Sequence, residues 1–102
     1  KILFLATSAG ERRRLAASAA QHARPARTRT IAAFHLLKGA ALLPSGSDEK
    51  AKMLNNAGWL LQDIDTPAAD RIYFQIERSL SGTPAGSAIL KKKWFLGYID
   101  PW

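Results

Sequence analysis

The sequence predicts an all-α fold, a small four-helix arrangement with an apolar N-terminal stub and an extended aromatic C-terminal arm. Apolar residues recur at three- and four-residue intervals through much of residues 9–80, which is the period of an amphipathic helix. Capping residues and prolines mark where these helices begin and end. At 102 residues the chain is predicted to form a single domain, with the stub at 1–8, a helical core at 9–80 and a connector and arm at 81–102.

The first predicted helix follows the apolar stub. Ser8 and Glu11 have the spacing of a capping box, in which each side chain bonds an unpaired amide of the first turn. The helix is expected to continue to about Ala23 and to stop before Pro25, because the residue before a proline avoids helical geometry.

The second helix is predicted from about Thr28 to Leu42. Its polar residues, His35 and Lys38, occupy only a narrow wedge of an otherwise apolar surface. Since a helix that is apolar all round is normally buried, we expect this helix to be the most buried element of the fold, with His35 as a hydrogen-bonded core or rim residue.

The third and fourth helices are predicted on either side of a stop-and-start signal at Asp65-Thr66-Pro67. The third starts after Ser47, and the fourth is capped by Thr66, has Pro67 in its first turn and runs to about Leu80. Each has one apolar face at helical spacing. These faces contain Met53, Ala57, Leu60, Leu61 and Ile64 in the third helix, and Ala69, Ile72, Tyr73, Ile76 and Leu80 in the fourth.

The charge distribution favours an anionic partner for the N-terminal part. The whole net charge of +7 lies within residues 1–43, and no acidic residue occurs between Arg12 and Ser47. Nucleic acid, acidic lipid head groups or an acidic protein face would be attracted to such a field. The segment from Arg12 to Arg29 also has the Arg-, Ala- and Ser-rich composition of an organelle transit peptide, which would indicate an organellar protein. An ordinary basic, Ala-rich helix has the same composition.

Catalytic and metal-binding patterns are not found in the sequence. There is no cysteine, and the two histidines, His22 and His35, fall on different predicted helices. No glycine-rich phosphate loop is present. Asp63 and Asp65 flank a helix junction, where capping explains them better than acid–base chemistry. We therefore predict a non-enzyme without a metal or cofactor.

Two aromatic residues are predicted to point away from the core. On a helical projection Trp59 lies opposite Ala57, on a polar face with Lys52, Asn55 and Asn56. On the next helix Phe74 lies between Arg71 and Arg78. A third layer of the same chain would cover these rings, or another protein or a pigment would bury them, or Phe74 would stack on RNA bases. The sequence leaves these three possibilities open.

The C-terminal arm is the best candidate for binding a partner. Four of the nine aromatic residues fall in the last nine positions, after a segment at 81–87 that is predicted to be a flexible connector. The arm would dock on its own domain, on a neighbouring subunit or on an acidic membrane surface. The predicted contacts are Trp94, Phe95, Tyr98 and Trp102 as anchors, with Lys91, Lys92, Lys93, Arg12, Arg13 and Arg14 as electrostatic contacts.

Residues 54–73 resemble one tetratricopeptide hairpin. The resemblance rests on the first-helix and second-helix positions of that family, occupied here by Leu54, Ala57, Gly58, Leu61, Ala69 and Tyr73. The turn between the helices is one residue shorter than in the family. This resemblance implies a scaffold or adaptor that binds a peptide in the groove of the hairpin between Leu54 and Leu80.

Residues 14–28 resemble a stretch of the small lumenal N subunit of photosystem I, with one inserted residue at Pro25. The matching residues are Arg14, Leu15, Ala16, Ser18, Ala20, Ala23, Arg24, Ala26, Arg27 and Thr28. The cysteines of that family are absent here. The resemblance implies a non-enzymatic, lumenal subunit of a photosynthetic complex in the chloroplast thylakoid.

Three functions follow as expectations. The first is a peripheral accessory subunit of a membrane-bound energy-converting complex in an organelle, of photosystem or respiratory type, that stabilises larger subunits and contacts acidic lipid head groups. The second is an RNA-binding organellar ribosomal protein. The third is a soluble helical adaptor. The longest apolar runs are much shorter than the ~18 residues that a membrane span requires, so no transmembrane segment is predicted.

Overall fold

A computed structural model describes residues 25–100, and within that range every regular element is a helix. The helices are α1 (Ala26–Ala41), α2 (Asp48–Leu61), α3 (Thr66–Ser79) and α4 (Pro84–Lys92). The predicted all-α class is confirmed. The N-terminal stub, the first predicted helix and most of the stretch that resembles the photosystem subunit lie outside the described residues.

Helices α2 and α3 begin where side chains satisfy their first amides. The Ser47 hydroxyl accepts a hydrogen bond from the Lys50 amide, and the Asp65 carboxylate accepts one from the Ala68 amide. The predicted cap of α3, Thr66, is instead its first helical residue. Asp65, one residue before Thr66, has a non-helical backbone conformation and is therefore the capping residue.

Helix α4 corrects the prediction that residues 81–87 form a flexible connector. Thr83 caps the helix by accepting a hydrogen bond from the Gly86 amide at 2.9 Å, and Pro84 occupies the first turn, where its missing N–H leaves no bond unmade. The Ala85 amide donates to the Asp48 carboxylate at 2.8 Å. This bond joins the N-terminal ends of α4 and α2.

Helix α2 lies at the centre of the described fold, in contact with the other three helices. More than half of its residues are buried, including both asparagines of its middle turn. Ile72 and Ile76 of α3 and Ile89 of α4 complete the core around it, together with Phe95 of the C-terminal segment.

Helix α1 is the least buried of the described helices by number of residues, which contradicts the prediction that it is the most buried element. Only Ala33 and Ala40 are buried. The reason is its position at the edge of the helical layer, where it packs on α2 through one face. A Cβ added at Gly39 would lie 2.6 Å from the Met53 methyl carbon, so the two helices approach closely at this point.

The N-terminal end of α1 is fixed to the junction between α2 and α3. The Arg29 guanidinium donates to both carboxylate oxygens of Asp63, at 2.8 and 2.9 Å. Asp63 therefore has a second role beside its place in the helix junction. Among the described residues, no helix has the length and apolar character needed to cross a membrane.

Candidate functional site

An apolar stripe on the outer side of α1 is the first candidate site. We define the α1 surface as Ile31, Phe34, Lys38 and Leu42, which recur at intervals of three or four residues and so lie on one side of the helix. Ile31 is 49% exposed, Phe34 58% and Leu42 88%. The Lys38 ammonium lies 5.0 Å from the centre of the Phe34 ring, which is cation–π distance.

The α1 surface is unusual because the opposite side of the same helix is also apolar. Ala33 and Ala40 are the buried residues, and they project about 180° away from Ile31 and Lys38 at 100° per residue. A helix on the surface of an isolated protein normally has a polar outer face. Large exposed apolar residues on one side of a helix, here interspersed with exposed His35 and Lys38, are candidates for an interaction site.

Every charged residue of α1 is basic. Arg27 and Lys38 are exposed, and the segment 25–47 contains no acidic residue. The third cation of the helix, Arg29, is bound to Asp63. The occupant with the best electrostatic fit is therefore apolar with an acidic border.

Phe74 of α3 is a second exposed aromatic, at 56%. Arg71 and Arg78 flank it as predicted, and both are exposed. Asp70 and Glu77, also exposed, lie on the same side of the helix at four and three residues from Phe74. This mixed border differs from the uniformly basic surroundings expected of a surface that binds phosphates.

The C-terminal segment folds back on its own domain. Phe95 is 2% exposed and lies directly over Gly58, where a Cβ would overlap its ring. Trp94 is half-buried, and its indole N–H donates to the Gln62 side chain at 2.6 Å. The Trp94 and Phe95 rings also pack on Tyr73, with centroid separations of 5.5 and 6.0 Å.

Two buried asparagines hold the backbone of this segment. Asn55 Oδ1 accepts a hydrogen bond from the Leu96 amide at 2.8 Å, and Asn55 Nδ2 donates to the Leu96 and Gly97 carbonyls at 3.3 and 3.2 Å. Asn56 bonds both backbone groups of Ile99, accepting at 2.8 Å and donating at 2.6 Å. The segment is therefore fixed at two points, three residues apart.

The predicted arm residues now divide into different groups. Phe95 is inside the chain's own core and Trp94 is half-covered by it, so the arm docks on its own domain, which is one of the three possibilities that the sequence leaves open. In this conformation Phe95 is not available as an anchor for a partner. Tyr98 is 43% exposed, and Lys91, Lys92 and Lys93 are exposed. The remaining predicted contacts, Arg12, Arg13, Arg14 and Trp102, lie outside the described residues.

The predicted outward face of α2 is also covered. Trp59 is half-buried, and Asn55 and Asn56, which the helical projection placed on the same polar face, are fully buried beneath the C-terminal segment. A layer of the same chain covers this face, which was one of the three possibilities left open. Phe74 is 56% exposed, so residues 25–100 do not cover it in the same way.

Sequence reasoning missed the α1 surface and the asparagine pair. The signal for the first is the apolar character of both sides of the second predicted helix, from which the sequence predicts the most buried element of the fold. His35, expected in the core or at its rim, is in fact exposed on the outer side of α1. The asparagines carried no sequence signal, because their partners lie about 40 residues further along the chain.

Chemically, the sites that the structure defines are suited to binding. Within residues 25–100, no group of three or more His, Asp or Glu side chains is placed to hold a metal ion. The exposed rings and aliphatic side chains of α1 and α3 can be buried against another molecule, and the asparagine pair can hold an extended backbone.

Comparisons with known proteins provide no further assignment. No protein family model, no curated protein and no solved structure matches the chain. The class that the described fold and surfaces define is a small all-α domain with an exposed apolar helix face. The resemblances to the photosystem subunit and to the tetratricopeptide hairpin remain predictions from the sequence.

Proposed function

We propose that this protein is a non-enzymatic accessory subunit that binds a larger protein through the α1 surface. The observation that carries the proposal is the exposure of Ile31, Phe34 and Leu42 along one side of a helix whose other side is already packed on the core. Removing such side chains from water is favourable, and only the surplus over the ordering and desolvation costs of association contributes to affinity.

The proposed site of action is a membrane-bound energy-converting complex of an organelle, with the chain at the periphery and the chloroplast thylakoid ahead of the mitochondrion. Two sequence features support this location: the acid-free, Arg- and Ala-rich segment from Arg12 to Arg29, and the resemblance of residues 14–28 to a photosystem subunit. Exposed Lys91, Lys92 and Lys93 would contact acidic lipid head groups or acidic neighbours at such a complex.

The RNA-binding alternative is less well supported by the geometry. Phe74 is the exposed ring between two arginines, but Asp70 and Glu77 share its side of α3 and would repel phosphate. The basic α1 surface has aliphatic side chains as well as a ring, and aliphatic side chains do not stack on bases. A protein partner suits the α1 surface, on which the proposal rests.

The proposal predicts that salt removes the chain from its complex only in part. Isolated membranes from the source cells would be washed at about 0.1 M and about 1 M salt, where the Debye lengths are about 10 and 3 Å. Because apolar burial is not screened, we expect more than half of the chain to remain bound at the higher salt, by immunoblotting of pellet and supernatant.

Three outcomes of this wash would contradict the proposal. Complete release at moderate salt would show that only exposed ion pairs hold the chain. Release together with ribosomal RNA, with an affinity that falls linearly in the logarithm of salt, would favour the RNA-binding protein. Absence of the chain from the membrane fraction before washing would exclude the proposed location.

A further inference from the structure

The C-terminal segment occupies a groove that has the properties of a peptide-binding site. We define the tail groove as Asn55, Asn56, Gly58, Gln62 and Tyr73, and the tail as residues 94–99. The groove lies on α2 and α3, while the tail follows the end of α4 at Lys93, which has a φ of 67°. That left-handed residue closes α4, because its amide bonds the Ile89 and Leu90 carbonyls.

Backbone recognition is the first property of the groove. The side-chain amides of Asn55 and Asn56 form four hydrogen bonds with the backbone of Leu96 and Ile99. Each side chain accepts a bond from one N–H group and donates one to the C=O group of the same residue. An amide side chain has one acceptor and two donors, so it can pair with both groups of one extended residue. These bonds depend on backbone conformation and not on which side chain the bound segment carries.

Side-chain recognition is the second property, and it is confined to one end. Gly58 leaves room for the Phe95 ring, and the Tyr73 ring packs against both Phe95 and Trp94. The Gln62 amide oxygen accepts the Trp94 indole N–H. The groove therefore fits an extended segment with two adjacent aromatic residues. The first and fourth residues after the second ring must have backbone groups free to bond Asn55 and Asn56.

The helices complete their backbone hydrogen bonds without the tail, whose backbone is bonded by the Asn55 and Asn56 side chains. The tail follows the last described helix, and α4 ends with its own hydrogen bonds complete at Lys93. A segment outside the helices, such as residues 94–99, can open locally at lower free energy than the core helices. Release would expose Asn55 and Asn56 to water, where their amides regain hydrogen-bond partners.

We propose that the tail groove is a binding site for an extended aromatic peptide segment of another protein, which the chain's own tail fills while that partner is absent. The partner is defined by chemistry: two adjacent aromatic side chains, followed by a backbone without proline at the positions equivalent to Leu96 and Ile99. This inference is independent of the α1 surface, which lies on a different helix.

A peptide-binding experiment with the full-length chain tests the inference. The probe is a fluorescein-labelled synthetic peptide with the sequence of residues 93–100, and binding is followed by fluorescence anisotropy. In the wild-type chain the tethered tail competes at an effective concentration of the order of mM, so the probe binds weakly. Leu96→Pro removes the N–H that Asn55 accepts, and we expect it to increase the affinity for the probe at least tenfold.

Matched variants show whether the probe binds in the vacated groove or whether its affinity rises for another reason. Phe95→Ala weakens the tail without changing its backbone, and it should also bind the probe more tightly than wild type. Adding Asn55→Ala and Asn56→Ala to Leu96→Pro should abolish that gain. A probe in which the residue equivalent to Leu96 is proline should bind no variant.

The remaining outcomes overturn the inference. Equal binding of the probe to wild type and tail variants would show that it binds elsewhere. No binding by folded tail variants, or loss of helical circular dichroism in both Leu96→Pro and Phe95→Ala, would show that the tail is a fixed part of the fold. A concentration-dependent dimer of the wild type that Gly58→Ala prevents would assign the groove to the tail of a second copy.

Discussion

Replacing Gly58 with alanine should destabilise the protein by about 2–3 kcal/mol, although alanine is the better helix former by about 1 kcal/mol. The new Cβ would overlap the Phe95 ring, which fits directly over the glycine. Phe95 would be displaced, with the loss of about 2–3 kcal/mol of apolar burial and of some of the tail's hydrogen bonds at about 1 kcal/mol each.

Urea unfolding followed by circular dichroism measures this change. Gly97→Ala is the matched control, because a Cβ at Gly97 meets nothing within 4 Å. The contact itself is tested by the double variant: once Phe95→Ala has removed the ring, adding Gly58→Ala should cause no further loss and should recover part of the helix propensity. A Gly58→Ala variant as stable as wild type would show that the tail does not occupy this position.

Gly86→Ala is expected to have an effect of similar or larger size, about 2–4 kcal/mol. A Cβ at Gly86 would overlap the carbonyl oxygen of Leu80 and would lie 2.7 Å from the Thr83 hydroxyl. The Leu80 oxygen is a backbone atom and cannot rotate away, so the first turn of α4 must move. That movement would break the Thr83 cap and the bond from the Ala85 amide to Asp48.

Thermal denaturation provides the measurement for this variant. At roughly 4–8 °C per kcal/mol for a domain of this size, the midpoint should fall by about 8–30 °C. Gly82→Ala is the control in the same loop, since a Cβ there has open space and its φ is not in the left-handed region. If the melting midpoints of the Gly86→Ala and Gly82→Ala variants agree within a few degrees, α4 does not start at this capped turn.

Local signals predicted most of the helix positions correctly. Ser47 begins α2 as expected, and Pro67 lies in the first turn of α3 as expected. Such caps act within one turn, so they can be read from adjacent residues. Helix α4 had the same signals in Thr83 and Pro84, but the glycines and serines around them were interpreted as flexibility.

Burial could not be predicted in the same way, because it depends on residues far apart in the sequence. The apolar pattern of α1 correctly predicted a helix, but it cannot show whether a second layer covers Phe34. Likewise, the polar character of Asn55 and Asn56 predicts exposure. It cannot show that tail residues about 40 positions further along the chain bury them.

The candidate site was therefore predicted in its chemistry but not in its location. The sequence indicated that exposed apolar side chains would bind a partner, and it assigned this role to the C-terminal aromatics. The structure places Phe95 in the core and leaves Ile31 and Phe34 of α1 exposed. The side chains available to a partner therefore differ from those predicted. The tail packs on one part of α2 with Phe95 turned inward, and α1 packs on another part through one face only.

The most direct test of the α1 surface is the native size of the chain in extracts of its source cells. Wild type should fractionate with a complex far larger than its own 11.2 kDa, while a variant with Ile31→Ser, Phe34→Ser and Leu42→Ser should fractionate as a free, folded chain. Arg71→Ser with Phe74→Ser on α3 is the matched control and should remain largely bound. A wild-type chain that is already free, or a triple variant that stays in the complex, would contradict the assignment of the α1 surface as the partner-binding face.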